Sequence, residues 1–417
     1  MTSAPDRTRR WWHAIGPAII VAAVVLGPGS LLAASRVGCE FGYAPLWLLA
    51  LTTGLMIGTV VVAASVGRSL DATPGGELAS RLGRPVSAVV GVTLFLVVVS
   101  FQGSNNAAVL ASLQPLGVTE LGSSAAASAL VLLNGIVATV LWFGRDLYRP
   151  IERLMKLLVG LMAAAFVLNV ALARPSLSGL LRGFLPTIPT PKTNTGTDSY
   201  APLVALVATT YSIAAAYYQC YLVRERRRLG DAAAGNTLDA VFGIAALGIA
   251  TGLVLVTSAA VLHGNVASSD LTSVFVIADQ LRPLFGAAAA WIFSIGILAG
   301  ALSSFLVNAL IGGTLLADGF GWASGLNDRP QKWGTTVALS LGAVVALLTT
   351  RSGNQVDAII LMQKLTLLGG PLLAASLLYL GFRVRPRPPV WALVLACVGG
   401  LLVAALVTRT LLNLLTA

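Results

Sequence analysis

The stretch GPAIIVAAVVLGPGSLLAAS, residues 16–35, decides the fold. It carries no charged side chain, and it is about as long as an α-helix must be to cross the ~30 Å hydrocarbon core of a bilayer. Its centre reads Gly27-Pro28-Gly29-Ser30. Because proline removes one helical hydrogen bond and glycine tolerates an unwound backbone, this centre predicts a spanning helix that is broken near the bilayer midplane. The alternative is a continuous helix with a proline kink.

Comparable apolar stretches recur along the whole chain. Its 417 residues are 56% hydrophobic and 10% charged, with a mean hydropathy of +0.85, which leaves too little polar surface for a soluble globule of this size. The sequence therefore predicts an all-α membrane protein with about eleven transmembrane helices and no soluble domain between them. The predicted spans are residues 16–35, 44–66, 86–112, 123–143, 153–173, 201–223, 238–262, 285–317, 333–350, 357–381 and 389–413.

The net charge of +11 indicates membrane topology rather than nucleic-acid binding, because Lys and Arg lie in alternate loops and not on one patch. The positive-inside rule places basic runs such as 145–156 and 224–228 in the cytoplasm. We therefore expect a multi-pass protein of the cell (inner) membrane, with its N-terminus cytoplasmic and its C-terminus outside. Membrane lipids, including anionic ones, are expected partners, and nucleic acid is not. The leader MTSAPDRTRRWWHA has no cleavage pattern and is expected to stay attached.

Eleven spans divide into two inverted repeats of five helices and one extra helix, a common plan of secondary transporters. We expect a single transmembrane transporter domain over residues 1–417, with repeat one at about 14–175, repeat two at about 200–382 and the extra helix at 389–413. In such folds the first helix of each repeat is broken, and the freed carbonyl groups form the substrate site. The centre of the sixth span, Thr209 to Ala215, is polar enough for a break but lacks proline and glycine.

Several short motifs recur in a definite order along the chain. They are Gly16-Pro17 and GPGS in span 1, VGCEFGY at 37–43, Arg149 to Glu152, Ala173-Arg174-Pro175, Leu181 to Pro189, YYQCYLV at 217–223 and Gly300 to Ser304. Their order and spacing resemble the Nramp family of divalent-metal transporters. The resemblance covers roughly residues 14–382 and implies a LeuT-like 5+5 inverted repeat with broken helices 1 and 6. It also implies a transporter rather than an enzyme, with alternating access by rocking of spans 1, 2, 6 and 7 against the rest.

The chain departs from the family where the metal would bind. Gly27 and Ser30 replace the aspartate and asparagine of the family's first motif, and Ser212-Ile213-Ala214 replaces its Met-Pro-His. Neutral oxygens suit a hard, partly hydrated divalent cation and disfavour tight binding of a transition metal. The resemblance implies a substrate site that includes Gly27, Ser30, Thr209, Ser212 and Gln363, with Ser30, Ser212 and Gln363 as the metal ligands. Tyr211 and Lys364 are further candidate substrate-binding residues, taken from the sequence itself.

The third span carries amides where the resemblance implies acids. The family has two acidic residues there, and this chain has Gln102 and Asn105, followed by Asn106. Amides do not exchange protons near neutral pH, so we expect transport without the family's usual proton coupling. Two interpretations of these three residues remain open, a wet polar pathway and hydrogen bonds between helices.

Lys364 directly follows Gln363 in a predicted span, and a lysine inside a membrane is costly and often functional. If it faces the central cavity, it repels a divalent cation and, with Tyr211 and Gln102, favours a carboxylate or another anion. Alternatively, it snorkels to the outer interface, because Asp357 marks the start of the span about two turns away. Three hypotheses follow: a metal-ion transporter of altered selectivity, a transporter of a small organic or anionic solute, and a non-transporting sensor.

No cofactor is expected. His13 and His263 lie far apart in sequence without a second ligand at helical spacing, and Cys39, Cys220 and Cys397 have no spacing typical of a metal site. A glycine-rich phosphate loop with lysine is also missing from the sequence, so ATP hydrolysis is not indicated.

Overall fold

A computed structural model describes residues 27–113, 124–143, 160, 164–191, 199–231, 235–267, 270–271, 273–322, 328–349 and 355–416. The described chain is almost entirely helical. Predictions for residues 16–26, for His13, for Arg149 to Glu152 and for the first part of the fifth span lie outside these residues.

The helices follow one another along the chain. Two 3₁₀ turns, Asp279–Leu281 and Gly286–Ala288, flank the helix α12. The helices are α1 Pro28–Phe41, α2 Leu46–Ser69, α3 Pro74–Leu82, α4 Arg84–Ser112, α5 Ser124–Phe143, α6 Ala164–Ala173, α7 Leu177–Gly183, α8 Ala201–Thr210, α9 Ile213–Arg228, α10 Thr237–Val261, α11 Val274–Ala278, α12 Arg282–Phe285, α13 Ala289–Phe320, α14 Arg329–Thr349, α15 Gln355–Leu365, α16 Gly370–Arg383 and α17 Val390–Thr416.

Within the described part of the chain, eight helices are long and apolar enough to cross a membrane, or up to nine if one bent pair counts as a single span. The prediction of a polytopic all-α protein is confirmed at this level. The number eleven stays a prediction, because parts of the first and fifth predicted spans lie outside the described residues.

The sixth span is broken where its sequence turns polar. Helix α8 ends at Thr210, and α9 begins at Ile213, so Tyr211 and Ser212 form the break. Their ψ angles of 65° and 94° are far from helical values. The predicted break in this span therefore exists without proline or glycine. In the first span, the described helix begins at Pro28, directly after an extended Gly27.

The tenth span, predicted over 357–381, is broken in the structure. Helix α15 ends at Leu365, α16 begins at Gly370, and the two are bent by 40°. The sequence Gly369-Gly370-Pro371 explains the break, since Pro371 has no backbone N–H to continue the helical ladder. The predicted span carried no expectation of a break.

The long helices pack in two groups with sparse direct contact between them. In the first helix group, α1 packs against α8 and α10, and α2 packs against α9 and α10. In the second helix group, α13 packs along α4, and α14 packs against both of them and against α5. Helix α15 contacts both groups. Glycines permit close approach within each group: a Cβ at Gly38 would lie 2.4 Å from the Leu255 carbonyl oxygen, and one at Gly91 would lie 2.7 Å from that of Leu315.

Candidate functional site

The turn at the start of α1 is closed by its own serine. The Ser30 hydroxyl donates to the Gly27 carbonyl at 2.7 Å, and the Leu31 N–H donates to the same oxygen at 3.3 Å. Both acceptor positions of this carbonyl are therefore used. In this conformation the Gly27 carbonyl is therefore occupied by donors of its own turn, whereas the Ser30 oxygen keeps acceptor capacity; the role of Gly27 as a ligand stays a prediction.

Gln363, at the end of α15, reaches into this turn. A Cβ added to Gly29 would lie 1.8 Å from the Gln363 Nε2, so the amide occupies the space that a side chain at position 29 would need. Nε2 donates to the Ser104 hydroxyl of α4 at 2.8 Å. The Gln363 Oε1 is buried and has no hydrogen-bond partner among the residues that the structure describes. A buried carbonyl oxygen without a donor is unfavourable unless a cation or water completes it.

The break between α8 and α9 supplies further oxygens. Among the described residues, no backbone N–H donates to the carbonyls of Thr209 and Thr210, because the helical ladder stops there. The Thr209 hydroxyl itself donates to the Leu206 carbonyl at 3.1 Å, and its oxygen, like that of Ser30, keeps acceptor capacity. Ser212 precedes α9, is 5% exposed and makes no side-chain capping bond to that helix.

The break in the sixth span and the break in the tenth span border one small cavity. Tyr211, Ser212, Thr366 and Leu367 line it from the two breaks, and Phe101 closes it from α4. Most of the lining side chains are apolar, and the polar groups are the hydroxyls of Tyr211, Ser212 and Thr366. This arrangement brings Ser212 near the tenth span, but no hydrogen bond joins Ser212 to Gln363 in the described structure.

Tyr211 lines the small cavity and is also held by the neighbouring helices. Its hydroxyl lies 2.8 Å from the Thr59 Oγ1 on α2. A Cβ at Gly399 of α17 would lie 2.3 Å from the same hydroxyl oxygen, so the ring tip is wedged between α2 and α17. These contacts hold the side chain at the break, and its contact with cargo stays a prediction.

The predicted polar residues of the third span form a hydrogen-bonded cluster inside the second helix group. The Gln102 Nε2 donates to the Phe305 carbonyl of α13 at 2.5 Å, and the Asn105 Nδ2 donates to the Gln102 Oε1 at 3.2 Å. Asn106 accepts from the Asn134 Nδ2 of α5 at 2.8 Å. All of these side chains are buried. Of the two open interpretations, the geometry favours hydrogen bonds between helices over a wet pathway.

Lys364 is 8% exposed, so its side chain is enclosed by protein. This burial disfavours the snorkelling interpretation, because a side chain that reached the interface would be exposed. Asp357, which marked the start of the span, forms an ion pair with Arg36 of α1. Sequence reasoning missed Arg36 as a contact of the tenth span. It also missed Ser104, although the polar run Gln102 to Asn106 contains it.

The described residues contain no group of three or more His, Cys, Asp or Glu side chains that could hold a metal ion. His263 lies at the end of α10, where its Nδ1 is 2.7 Å from the Cys39 carbonyl oxygen. The oxygens at the two breaks are therefore neutral. Such a site can bind a cation through hydroxyl, amide and carbonyl dipoles, but it cannot neutralise the charge.

Known proteins match nearly the whole chain. Residues 18–415 match the family model described as natural resistance-associated macrophage protein-like. The chain is 26% identical over 333 residues to the divalent metal cation transporter MntH of Deinococcus radiodurans, which covers 76% of this chain and 71% of that protein. It is also 26% identical over 329 residues to the MntH of Chromohalobacter salexigens, covering 74% and 72% of the two chains.

Solved structures share the fold. The manganese transporter of Eremococcus coleocola superimposes with a TM-score of 0.76 at 16% identity, covering 100% of this chain and 89% of that one. MhsT in complex with L-phenylalanine superimposes with a TM-score of 0.58 at 16% identity, covering 95% and 98%. The LeuT-like fold class expected from the sequence is thereby confirmed.

Proposed function

This chain belongs to the Nramp family, and we propose that it moves a hard, partly hydrated divalent cation across the membrane without the proton coupling usual in that family. Its class is that of a multi-pass membrane transporter of metal ions. The named relatives are divalent metal cation transporters, and the solved neighbour of the same fold is a manganese transporter. The cargo, the coupling and the orientation given below are our proposals for this chain.

The proposed ligands are oxygen atoms that the fold leaves without donors. The Gln363 Oε1 belongs to the amide that lies against Gly29, in the turn at the start of α1, and the Thr209 and Thr210 carbonyls lie at the end of α8. Ser212 and Ser30 add hydroxyl oxygens. Hard cations such as Mg²⁺ prefer oxygen ligands and keep several of their own waters, so a site with few protein ligands suits them.

The absence of a soft or charged ligand argues against tight binding of a transition metal. Ser212 stands where the family has methionine, and Gly27 stands where it has aspartate. Thioether ligands select softer ions, and a carboxylate offsets the cost of removing water from a divalent ion. With both replaced, we expect weak binding of Mn²⁺ and little preference for it over Mg²⁺.

The lack of proton coupling rests on the amide cluster. Gln102, Asn105 and Asn106 are neutral near physiological pH. Gln102 and Asn106 hydrogen-bond to other helices of the second helix group, and Asn105 bonds to Gln102 within α4. A proton therefore has no carrier at these positions. We propose uniport, or coupling to another ion.

Orientation and motion follow from charge and packing. We place the protein in the cell (inner) membrane with a cytoplasmic N-terminus and an external C-terminus, because this puts most of the basic loops inside. We also propose that spans 1, 2, 6 and 7 move against the remaining spans, which agrees with the two groups of long helices. The two repeats at about 14–175 and 200–382 belong to the same proposal.

The observation that carries the function is the buried, unpartnered Gln363 Oε1 at the Gly29 turn. Uptake of Mg²⁺, Mn²⁺ and Ca²⁺ into proteoliposomes tests it. We expect uptake of at least one of these ions, with its KM raised by Gln363→Leu and Ser212→Ala and raised less by Ser104→Ala, which only frees the amide to rotate. Ser112→Ala is the matched control, because that hydroxyl bonds only within α4, to the Val109 carbonyl. Absence of flux for all three ions would reject the proposal.

The burial of Lys364 keeps a second candidate open, a transporter of a small carboxylate or other anion. A thermal-shift screen with carboxylates and amino acids distinguishes the two, because a ligand stabilises only the state that binds it. Stabilisation by an anion that Lys364→Ala abolishes would favour this candidate. Failure of both the uptake assay and the screen would indicate a non-transporting sensor.

A further inference from the structure

Asp318 lies in the last turn of α13, where the two helix groups meet at the end of the molecule that carries the basic run 224–228. We call this the basic end. The aspartate is 4% exposed, and it belongs to the second helix group. Its carboxylate oxygens are contacted by side chains and backbone from other parts of the chain. Since direct contact between the groups is otherwise sparse, these contacts are a main connection at this end.

Three donors satisfy the Asp318 carboxylate. The Tyr221 hydroxyl of α9, in the first helix group, donates to Oδ2 at 2.5 Å. The Thr73 hydroxyl donates to Oδ1 at 2.5 Å, and the Gly75 N–H donates to Oδ2 at 2.8 Å. Thr73 and Gly75 lie where the chain leaves α2 and enters α3. A buried anion with three donors is well stabilised, and it becomes costly when donors are lost without water to replace them.

The segment that carries two of these donors is itself held firmly by α9. Arg224 donates through Nε and Nη2 to the Asp71 carbonyl at 3.0 and 2.7 Å. Arg227 donates to the Arg68 and Leu70 carbonyls at 2.5 and 3.0 Å. The Thr73 hydroxyl also accepts from the Gly76 N–H at 3.0 Å, which fixes its orientation at the start of α3. Thr73 and Gly75 are thus tied to α9 through this segment and to α4 through Ser87, whereas Tyr221 belongs to the first helix group alone.

The approach of Asp318 to this segment leaves no spare room. A Cβ at Gly75 would lie 2.5 Å from the Asp318 Oδ2. Ser87 of α4 donates to the Gly75 carbonyl at 2.8 Å, and Arg84 donates to the Asp318 main-chain carbonyl at 3.3 Å. These contacts fix the carboxylate so that small separations of α9 from α13 break the Tyr221 bond.

We propose that Asp318, Tyr221 and Thr73 form a latch that holds the two helix groups together at the basic end and must break whenever that end opens. The three latch residues are not among the proposed ligands of the cargo. While the interface is dry, a partial opening that separates α9 from α13 removes the Tyr221 donor from a buried charge, so the latch favours a fully closed or a fully open arrangement. Full opening lets water replace the lost donors.

Distance measurements by electron paramagnetic resonance test the latch without any cargo. Spin labels at Leu229→Cys, after α9, and Arg329→Cys, at the start of α14, report the separation of the groups at the basic end, because both positions are exposed. The partly exposed Cys397 is changed to Ala, and the buried Cys39 and Cys220 are kept. The full-length protein is measured in lipid nanodiscs.

We expect Tyr221→Phe and Asp318→Asn to raise the population of longer distances by about tenfold relative to the parent. Thr314→Val is the matched control, because Thr314 lies one turn earlier in α13 and its hydroxyl accepts from Gln331 within the second helix group. It should leave the distances unchanged. Distance distributions of Tyr221→Phe that superimpose on those of the parent would overturn the latch, and so would an equal shift in Thr314→Val. Because the distance measurements do not involve metal uptake, a failure of the latch is distinguishable from a failure of the proposed function.

Discussion

The amide of Gln363 occupies the space that a side chain at Gly29 would fill, with Nε2 1.8 Å from the position of a Cβ. The first and the tenth span are thereby interlocked at the first turn of α1. The backbone of α1 is helical at Gly29, so any residue could adopt its conformation. The close approach of the Gln363 amide is what favours glycine at this position. The contact gives the central site its geometry, and it links the first span to the tenth.

Gly29→Ala should impair transport more than folding. The atoms that clash belong to the flexible end of a side chain, so Gln363 can swing away while the helices stay in place. We expect KM for the transported ion to rise by about tenfold. Uptake kinetics in proteoliposomes measure this, with Gly54→Ala of α2 as control, because a Cβ there meets nothing within 4 Å. Equal KM values for the two variants would contradict the assignment.

Gln102→Leu should lower stability without giving transport a new pH dependence. It removes the bond to the Phe305 carbonyl and leaves that of Asn105 unmade, at a cost of about 1–2 kcal/mol in unfolding free energy. Thermal unfolding in detergent measures the loss, and Ser100→Ala is the control, since its hydroxyl bonds only the Leu96 carbonyl of the same helix. A variant that is as stable as the parent but whose uptake changes its response to pH would revive the polar-pathway interpretation.

Tyr211→Phe should also act on stability rather than on cargo. The variant loses the bond to Thr59 and keeps the ring in its place between α2 and α17, so unfolding should become easier by about 1 kcal/mol. Tyr379→Phe serves for comparison, because that tyrosine contacts Arg383 through its ring face. If Tyr211→Phe raised the KM for the transported ion and left stability unchanged, Tyr211 would be a cargo-binding residue.

The sequence predicted the elements better than their contacts. The inverted-repeat plan predicted a broken sixth span, and the polar run from Thr209 to Ser212 agreed with it, because hydroxyl groups can satisfy an open backbone. The break after Leu365 follows from Gly369-Gly370-Pro371, but it was not predicted, since hydropathy alone does not indicate a bend. The family resemblance located Gln363, yet its insertion at Gly29 and its bond to Ser104 depend on how three distant spans pack.

The dependence on packing between distant spans also applies to the polar residues of the third span, for which two interpretations were open. Gln102, Asn105 and Asn106 share a helix face, which the spacing predicted. Whether that face meets water or another helix depends on α5 and α13, whose positions the spacing does not encode. No role was predicted for Asp318, because a single acidic residue near the end of a span is typical of the membrane interface.

The central claim is that the turn before α1 lacks the negative charge needed to bind a dehydrated divalent ion. Gly27→Asp tests it most directly, because Gly27 has a φ of −92° that aspartate adopts without strain and it occupies the N-cap position of α1, which suits an aspartate. Competition between Mn²⁺ and Mg²⁺ for uptake into proteoliposomes is measured for the parent and the variant. We predict little discrimination by the parent and a preference for Mn²⁺ that increases at least about tenfold in Gly27→Asp. Tight, Mn²⁺-selective uptake by the parent, unchanged in the variant, would contradict the account.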